Sequence, residues 1–205
     1  HEPMAAALCI GIDVEEPMGN MIVDIGGGTS DIAIIALGGI VCDKSIRIAG
    51  DELTADIEDY MRRQHNILIG ERTAERIKIE VGAAIPDLEN PPPDYPVHGR
   101  DLMTGVPKEI FVSYSEIAHA LDKSISKIEE AILNALEITP PELAADIYRT
   151  GIYLTGGGAL LRGLDKRISL KTKLPVHVAE DPLRAVARGT GIALKNADKF
   201  PFLIR

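Results

Sequence analysis

The chain of 205 residues has no tryptophan, and its aromatic residues amount to only 4%. Its core must therefore be aliphatic, and an apolar fraction of 45% is enough to build one. Cysteine is almost missing too. Cys9 and Cys42 stand alone with no Cys-x-x-Cys pair, which argues against a disulfide framework or a thiolate metal site and favours a reducing, cytoplasmic setting. Positive charge is in deficit, with a net charge of −9. That balance argues against a nucleic-acid partner and against a generally basic membrane-binding surface. No apolar run reaches membrane-spanning length, and no signal peptide is recognisable. The length suits one large domain or two small ones.

Glycine, by contrast, is concentrated at two places. Met21-Ile22-Val23-Asp24-Ile25 runs into Gly26-Gly27-Gly28-Thr29, and Ile152-Tyr153-Leu154-Thr155 runs into Gly156-Gly157-Gly158-Ala159. Successive glycines tolerate positive φ and let bare backbone approach a ligand, so their amides can converge on a phosphate. Asp24 and Thr29 add a carboxylate and a hydroxyl, the oxygen ligands a magnesium ion takes, often through water. The plainer alternatives are a tight hairpin turn at the first site and a close-packed strand-to-helix connection at the second. Two such turns far apart in sequence suggest one nucleotide held between two lobes.

Short β-branched runs predict strands over residues 21–25, 31–36 and 40–48, after a helix over 4–10. Helical spacing follows over 51–65, with Leu53, Ile57, Tyr60 and Met61 on one face, and over 73–84. Five prolines make 86–96 a loop. Residues 97–102 and 109–112 read as strands. Ser113-Tyr114-Ser115-Glu116 is a capping box that opens a helix to about residue 136. A short helix from Pro141, a helix over 160–168, a strand over 176–178 and a last helix from Pro182 to about 196 complete the chain. The order predicts an α/β protein of two subdomains, a core of 1–50 with 137–205 and an insertion of 51–136.

Four smaller features stand out, three of them open to two readings. Glu2-Pro3 places Glu2 at a helix start, as a cap or as a functional acid. Glu75 and Lys78, three apart on a helix, bridge a ribose or each other. The mixed charges around Arg76 read as a solvated face or a ligand edge. Asp181-Pro182 reads as the N-cap of the last helix. The histidines show no metal-ligand spacing, and the tail Lys199-Phe200-Pro201-Phe202 receives no role.

Taken together, the motifs resemble the actin-like ATPase superfamily, and in particular its MreB family of bacterial cell-shape proteins. The resemblance rests on Glu2-Pro3-Met4-Ala5-Ala6-Ala7, Val23 to Thr29, Ile48-Ala49-Gly50-Asp51, Ile69 to Lys78, Pro140 to Ala144, Leu154 to Leu164 and Ala179 to Leu183. It implies an actin-like, ribonuclease H-like fold with an inserted α+β subdomain, and ATP with magnesium in a cleft. Gly26, Gly27, Gly28 and Thr29 then resemble a phosphate loop, and Asp24 resembles the acid that organises magnesium. Glu2 resembles the residue that polarises attacking water. Glu75, Arg76 and Lys78 resemble ribose and adenine contacts, Gly156, Gly157, Gly158 and Ala159 the adenosine motif, and Asp181 part of a hinge.

No match to the family's first phosphate loop is present. The resemblance therefore implies a C-terminal half, with an N-terminal domain and its membrane-binding elements elsewhere. It further implies self-assembly into filaments, cell-wall elongation proteins as partners, and a cytoplasmic location with membrane association in the intact parent. A chaperone or sugar kinase of the same superfamily, or a structural module without nucleotide, are the rival readings.

Overall fold

The protein's structure, a computed structural model, describes residues 2–196. His1 and the tail at 199–202 lie outside the described residues. Among the described residues fifteen helices and strands follow one another, in the order the apolar patterns suggest except for one short strand, β4, that those patterns did not mark. The first is helix α1 (Glu2–Ile10). Strands β1 (Asn20–Ile25), β2 (Ser30–Ala36) and β3 (Gly39–Ile46) come next. They lead to α2 (Gly50–His65), β4 (Ile67–Leu68), α3 (Glu71–Val81), β5 (Tyr95–Asp101) and β6 (Pro107–Val112). Helices α4 (Tyr114–Glu137) and α5 (Pro141–Thr150) follow. The chain then runs through β7 (Ile152–Thr155), α6 (Leu164–Thr172), β8 (Val176–Val178) and α7 (Ala185–Lys195).

The strands form two sheets. One has the order β3-β2-β1-β7-β8 and the other β4-β5-β6. Strand β1 is buried along its whole length, its apolar residues Met21, Ile22, Val23 and Ile25 suiting a central strand covered on both faces, with the polar Asn20 and Asp24 buried among them. It pairs antiparallel with β2 through the first glycine turn, and parallel with β7. On one face, the small and apolar residues of α1 pack against β1, β2 and α7. The helices α1 and α7 cross so closely at Gly189 that a Cβ there would fall on the Ala5 carbonyl. On the other face, α4 lies against β2, β3 and α2. Its capping box is formed in full, with Ser113 Oγ accepting from Glu116 N and Glu116 accepting from Ser113 N. Among the described residues no helix is long and apolar enough to cross a membrane.

Four expectations are corrected. Helix α3 stops at Val81, because Gly82 leaves helical geometry at ψ 131° after its amide bonds Lys78 O. The proline loop ends sooner than expected, since Tyr95 and Pro96 already pair with Val112 and Phe111. The helix expected over 160–168 is two pieces. A 3₁₀ turn (Gly157–Leu160) comes first, Leu161 is extended, Gly163 turns left-handed at φ 75°, and only then does α6 begin. The last helix likewise starts as a 3₁₀ turn (Pro182–Arg184), and Asp181 makes no side-chain cap bond there. Its carboxylate lies instead 3.9 Å from Arg188.

Candidate functional site

The parallel register pairs Asp24 with Thr155. The two glycine turns therefore leave the carboxyl ends of neighbouring strands side by side, where open α/β sheets bind ligands. Both turns sit on one sheet and line the same side of the site. A cleft of about 830 Å³ opens over them, which is within the range of small-molecule sites. Its floor includes Asp24, Gly26, Gly27, Gly156, Gly157 and Gly158; α2 contributes Asp51 and Thr54, and α3 contributes Glu71, Arg72, Glu75, Lys78 and Ile79. Leu160, Leu161, Leu183 and Val186 make the remaining end apolar.

The first turn is held by Gly26 N donating to Thr29 O at 2.9 Å. The carbonyls of Gly26 and Gly27 accept from Gly50 N and Asp51 N at 3.0 and 2.8 Å, so this turn caps the start of α2. No acceptor takes the Gly27 and Gly28 amides among the described residues. None of these three glycines has positive φ. A Cβ at Gly27 or Gly28 would meet only Asp51, at ordinary contact distance. Neither backbone conformation nor packing requires glycine at these two positions, which leaves close approach by a ligand as its physical use.

The second turn divides its labour differently. Gly156 has φ +81°, and a Cβ there would strike the Ile25 carbonyl and the Asp24 carboxylate. At Gly158 a Cβ would strike the Ile25 side chain. These two glycines are packing devices that seat β7 against β1. Gly157 is different, since its Cβ would meet only the end of the flexible Leu183 side chain, at 3.0 Å. The amides of Gly157 and Gly158 also lack an acceptor among the described residues. We predict that Gly158→Ala lowers stability by about 1–3 kcal/mol through overpacking, whereas Gly157→Ala stays within about 1 kcal/mol. Urea unfolding of the two variants checks this, and equal losses would contradict the division.

Asp24 is 4% exposed, and its pKa is raised to about 6 by burial first and then by the charges of Glu2 and Asp31. No hydrogen bond from the protein offsets these effects. A cation brought to such a desolvated carboxylate would offset the cost of its ionisation. Among the described residues no cluster of three or more His, Cys, Asp or Glu could hold a metal by itself. Asp24 therefore suits magnesium, which keeps most of its waters and takes one or two carboxylates together with phosphate oxygens.

On the far wall, Lys78 Nζ uses all its donors: it bonds Gly50 O at 2.8 Å, Thr54 Oγ1 at 2.9 Å and Glu75 Oε2 at 2.7 Å. Thr54 Oγ1 in turn reaches Glu75 Oε2 at 2.7 Å. Burial pushes the Glu75 carboxyl up, but the Lys78 and Thr54 bonds outweigh it, and the net shift is downward. Glu75 and Lys78 thus do bridge each other, with one Glu75 oxygen left for a ligand.

Five of the residues singled out from sequence, besides Gly28, are not part of the cleft lining. Thr29 Oγ1 bonds Asp31 Oδ2 at 2.8 Å. Arg76 is exposed, Ala159 is buried beside its glycines and Asp181 begins the last 3₁₀ turn. Glu2 opens α1, near enough for its charge to act on Asp24. Asp51, Thr54, Glu71 and Arg72 were missed. Asp51, Glu71 and Arg72 fall inside stretches that carried the family resemblance, and Asp51 and Glu71 are acids in the first turn of a helix, but no site role was read from them; Thr54 carried no signal.

A family model described as MreB/Mbl protein matches residues 1–201 of this chain. The chain belongs to the MreB/Mbl family. It is 48% identical over 201 residues to the cell shape-determining protein Mbl of Bacillus subtilis, covering 98% of this chain and 60% of that protein. It is 50% identical over 198 residues to the cell shape-determining protein MreB of Escherichia coli, covering 97% and 56%. The chain thus spans less than two thirds of the relatives' length. Its fold matches MreB5 of Spiroplasma citri bound to AMPPNP, with a TM-score of 0.93, 44% identity and coverage of 97% of this chain and 59% of that one. MamK in its double helical filament shares the fold, at a TM-score of 0.75 and 24% identity over 96% of this chain and 58% of that one. The actin-like architecture expected from the motifs is thereby established for this MreB/Mbl chain.

Proposed function

We propose that this MreB/Mbl chain forms one wall of an ATP and magnesium site in a filament-forming actin homologue that sets bacterial cell shape. The carrying observation is the side-by-side placement of two glycine turns, four of whose amides lack acceptors, next to a desolvated carboxylate in one cleft. The amides of Gly27, Gly28, Gly157 and Gly158 hold phosphates, aided by Gly26, Gly156 and Thr29. Asp24 orients water-bound magnesium, which supplies charge neutralisation to the phosphates when bound. Glu75 takes the ribose, Ala159 and Arg76 support the adenosine end, and the base lies between Ile79 and Leu160.

Glu2 orients water, and Asp181 belongs to a hinge. The second wall comes from the part of the relatives' length that this chain does not span. Residues 1–50 with 137–205 form the core subdomain and 51–136 the insertion. Self-association, contact with the membrane through the unspanned part, cell-wall elongation partners and a cytoplasmic location belong to the same reading.

Titration with AMPPNP, with and without magnesium, tests the site. Magnesium-dependent binding is expected, and Gly157→Val should weaken it at least tenfold while leaving the melting temperature nearly unchanged. Loss of stability with unchanged affinity would make the turn a packing element only. Positioning by both walls dominates phosphoryl transfer, so this chain by itself should hydrolyse ATP at near-background rate. In a protein carrying both walls, Glu2→Ala should slow single-turnover hydrolysis and spare ATP affinity, the signature of a contact made in the transition state. Unchanged hydrolysis would return Glu2 to capping α1.

A further inference from the structure

We propose that Arg162 is a positioning residue that fixes the width of the cleft's apolar end, and with it discrimination for the nucleotide's base, without touching the ligand. The inference rests on the nucleotide reading above. Ile79 on α3 and Leu160 with Leu161 on the 3₁₀ side are apolar lining residues of the same cleft. Just beyond them the α3 side and the 3₁₀ side of this chain meet at Arg162, which joins them through both its side chain and its backbone. Its guanidinium donates to Ile79 O at 3.0 Å and to Gly82 O at 3.4 Å. Its own carbonyl accepts from Ala84 N at 2.8 Å, within a parallel bridge between Ala83 and Arg162.

The chemistry suits the place. The carbonyls in the last turn of α3 have no partner within the helix, and a cation there also meets the negative end of the helix dipole. Arg162 therefore caps α3 from another part of the chain. The phosphate end has a separate fastening, made by Gly50 N and Asp51 N on the carbonyls of Gly26 and Gly27. Because the two ends are tied by different bonds, one can loosen while the other stays. Loss of the Arg162 side chain removes the bonds on Ile79 O and Gly82 O, so the last turn of α3 can move from Leu160 and Leu161 and widen the base slot, while Ala84 stays held by the Arg162 carbonyl and by Arg167. The phosphate turns remain in register.

The test uses the full chain and two probes, ADP and inorganic tripolyphosphate, each with magnesium and followed by calorimetry. Tripolyphosphate has no base and reports the phosphate end alone. Arg162→Ala should weaken ADP about tenfold, the size of one or two lost hydrogen bonds, and leave tripolyphosphate within twofold. Hydrogen exchange over 79–84 should rise. Arg162→Lys keeps a donor and the positive charge for these carbonyls, so it should recover most of the ADP affinity. Should Arg162→Ala not fold, Arg162→Gln carries the same test, with intact tripolyphosphate binding as the folding control. Equal weakening of both probes, or unchanged ADP affinity, overturns the positioning role. Failure of the unsubstituted chain to bind either probe overturns the nucleotide reading, and this inference falls with it.

Discussion

Asp24→Asn should make the protein more stable near neutral pH and remove magnesium-dependent nucleotide binding. In the folded chain Asp24 has a pKa of about 6, against an ordinary value of 3.8. A raised carboxyl pKa means that folding favours the protonated form. The associated stability is fully present below the ordinary pKa and is lost as pH rises through about 6. Above that pH the ionised Asp24 therefore strains the fold. The difference between the two values corresponds to about 3 kcal/mol. The isosteric amide has no charge to desolvate, so it should recover much of this at pH 7 and little at pH 4. Chemical denaturation of both proteins at the two pH values, without divalent cations, measures the gain. The AMPPNP titration measures the loss. A destabilised Asn variant at pH 7 would show that Asp24 is not held against its own ionisation.

Such a trade is expected where a fold keeps a charge ready for a ligand. Nearly the same strand end in a purely structural hairpin would carry a neutral or apolar residue. Here the carboxylate lies at the join of β1 and β7, close to Glu2 and Asp31, whose charges oppose its ionisation further. A bound divalent cation would reverse that balance. Stabilisation by magnesium with nucleotide should therefore be larger in the unsubstituted protein than in Asp24→Asn.

Glu129→Ala should lower stability by about 3–5 kcal/mol, the cost of leaving one member of a buried ion pair behind. For a chain of this size the melting temperature should fall on the order of 10 °C. Arg167 on α6 reaches Glu129 on α4 with Nε–Oε1 at 2.9 Å and Nη2–Oε2 at 3.3 Å. The two side chains are 15% and 8% exposed. Arg167 also donates to Ala84 O at 3.0 Å and Ser126 Oγ at 2.9 Å and pairs with Asp122 at 2.8 Å. Removing Glu129 leaves a buried guanidinium with fewer partners, and the segment after α3 loses its anchor. The double variant Glu129→Ala with Arg167→Met should lose less than the sum of the two single losses, because the stranded charge is gone. Additive losses would mean that the pair is not energetically coupled.

Much of this molecule was legible in its sequence. The β-branched runs on either side of the first glycine cluster and before the second marked β1, β2 and β7. Ser113 and Glu116, three apart, marked the start of α4, and Leu53, Ile57 and Met61 marked the buried face of α2. These features are local: spacing, caps and turns act over a few residues, so their physics is contained in a short stretch. The family motifs went further and named Asp24, both glycine turns, Glu75 and Lys78 as site residues.

Other features depended on groups distant in sequence. Whether the second glycine cluster served packing or a ligand had no answer in its own residues. Ile25, more than a hundred positions away, occupies the space where Cβ atoms of Gly156 and Gly158 would go, and leaves Gly157 open. The raised pKa of Asp24 arises from burial and from charges placed around it by the fold. Thr54 and Arg162 both read as ordinary helix residues, and only the packing of α2, α3 and the 3₁₀ turn made one a strut and the other a cap. Sequence by itself determined the elements, the family and the chemical types available to the site. The tertiary structure decided which amides stay free, which charges are desolvated and which side chains hold the walls apart, because those quantities depend on what lies within a few ångströms in space.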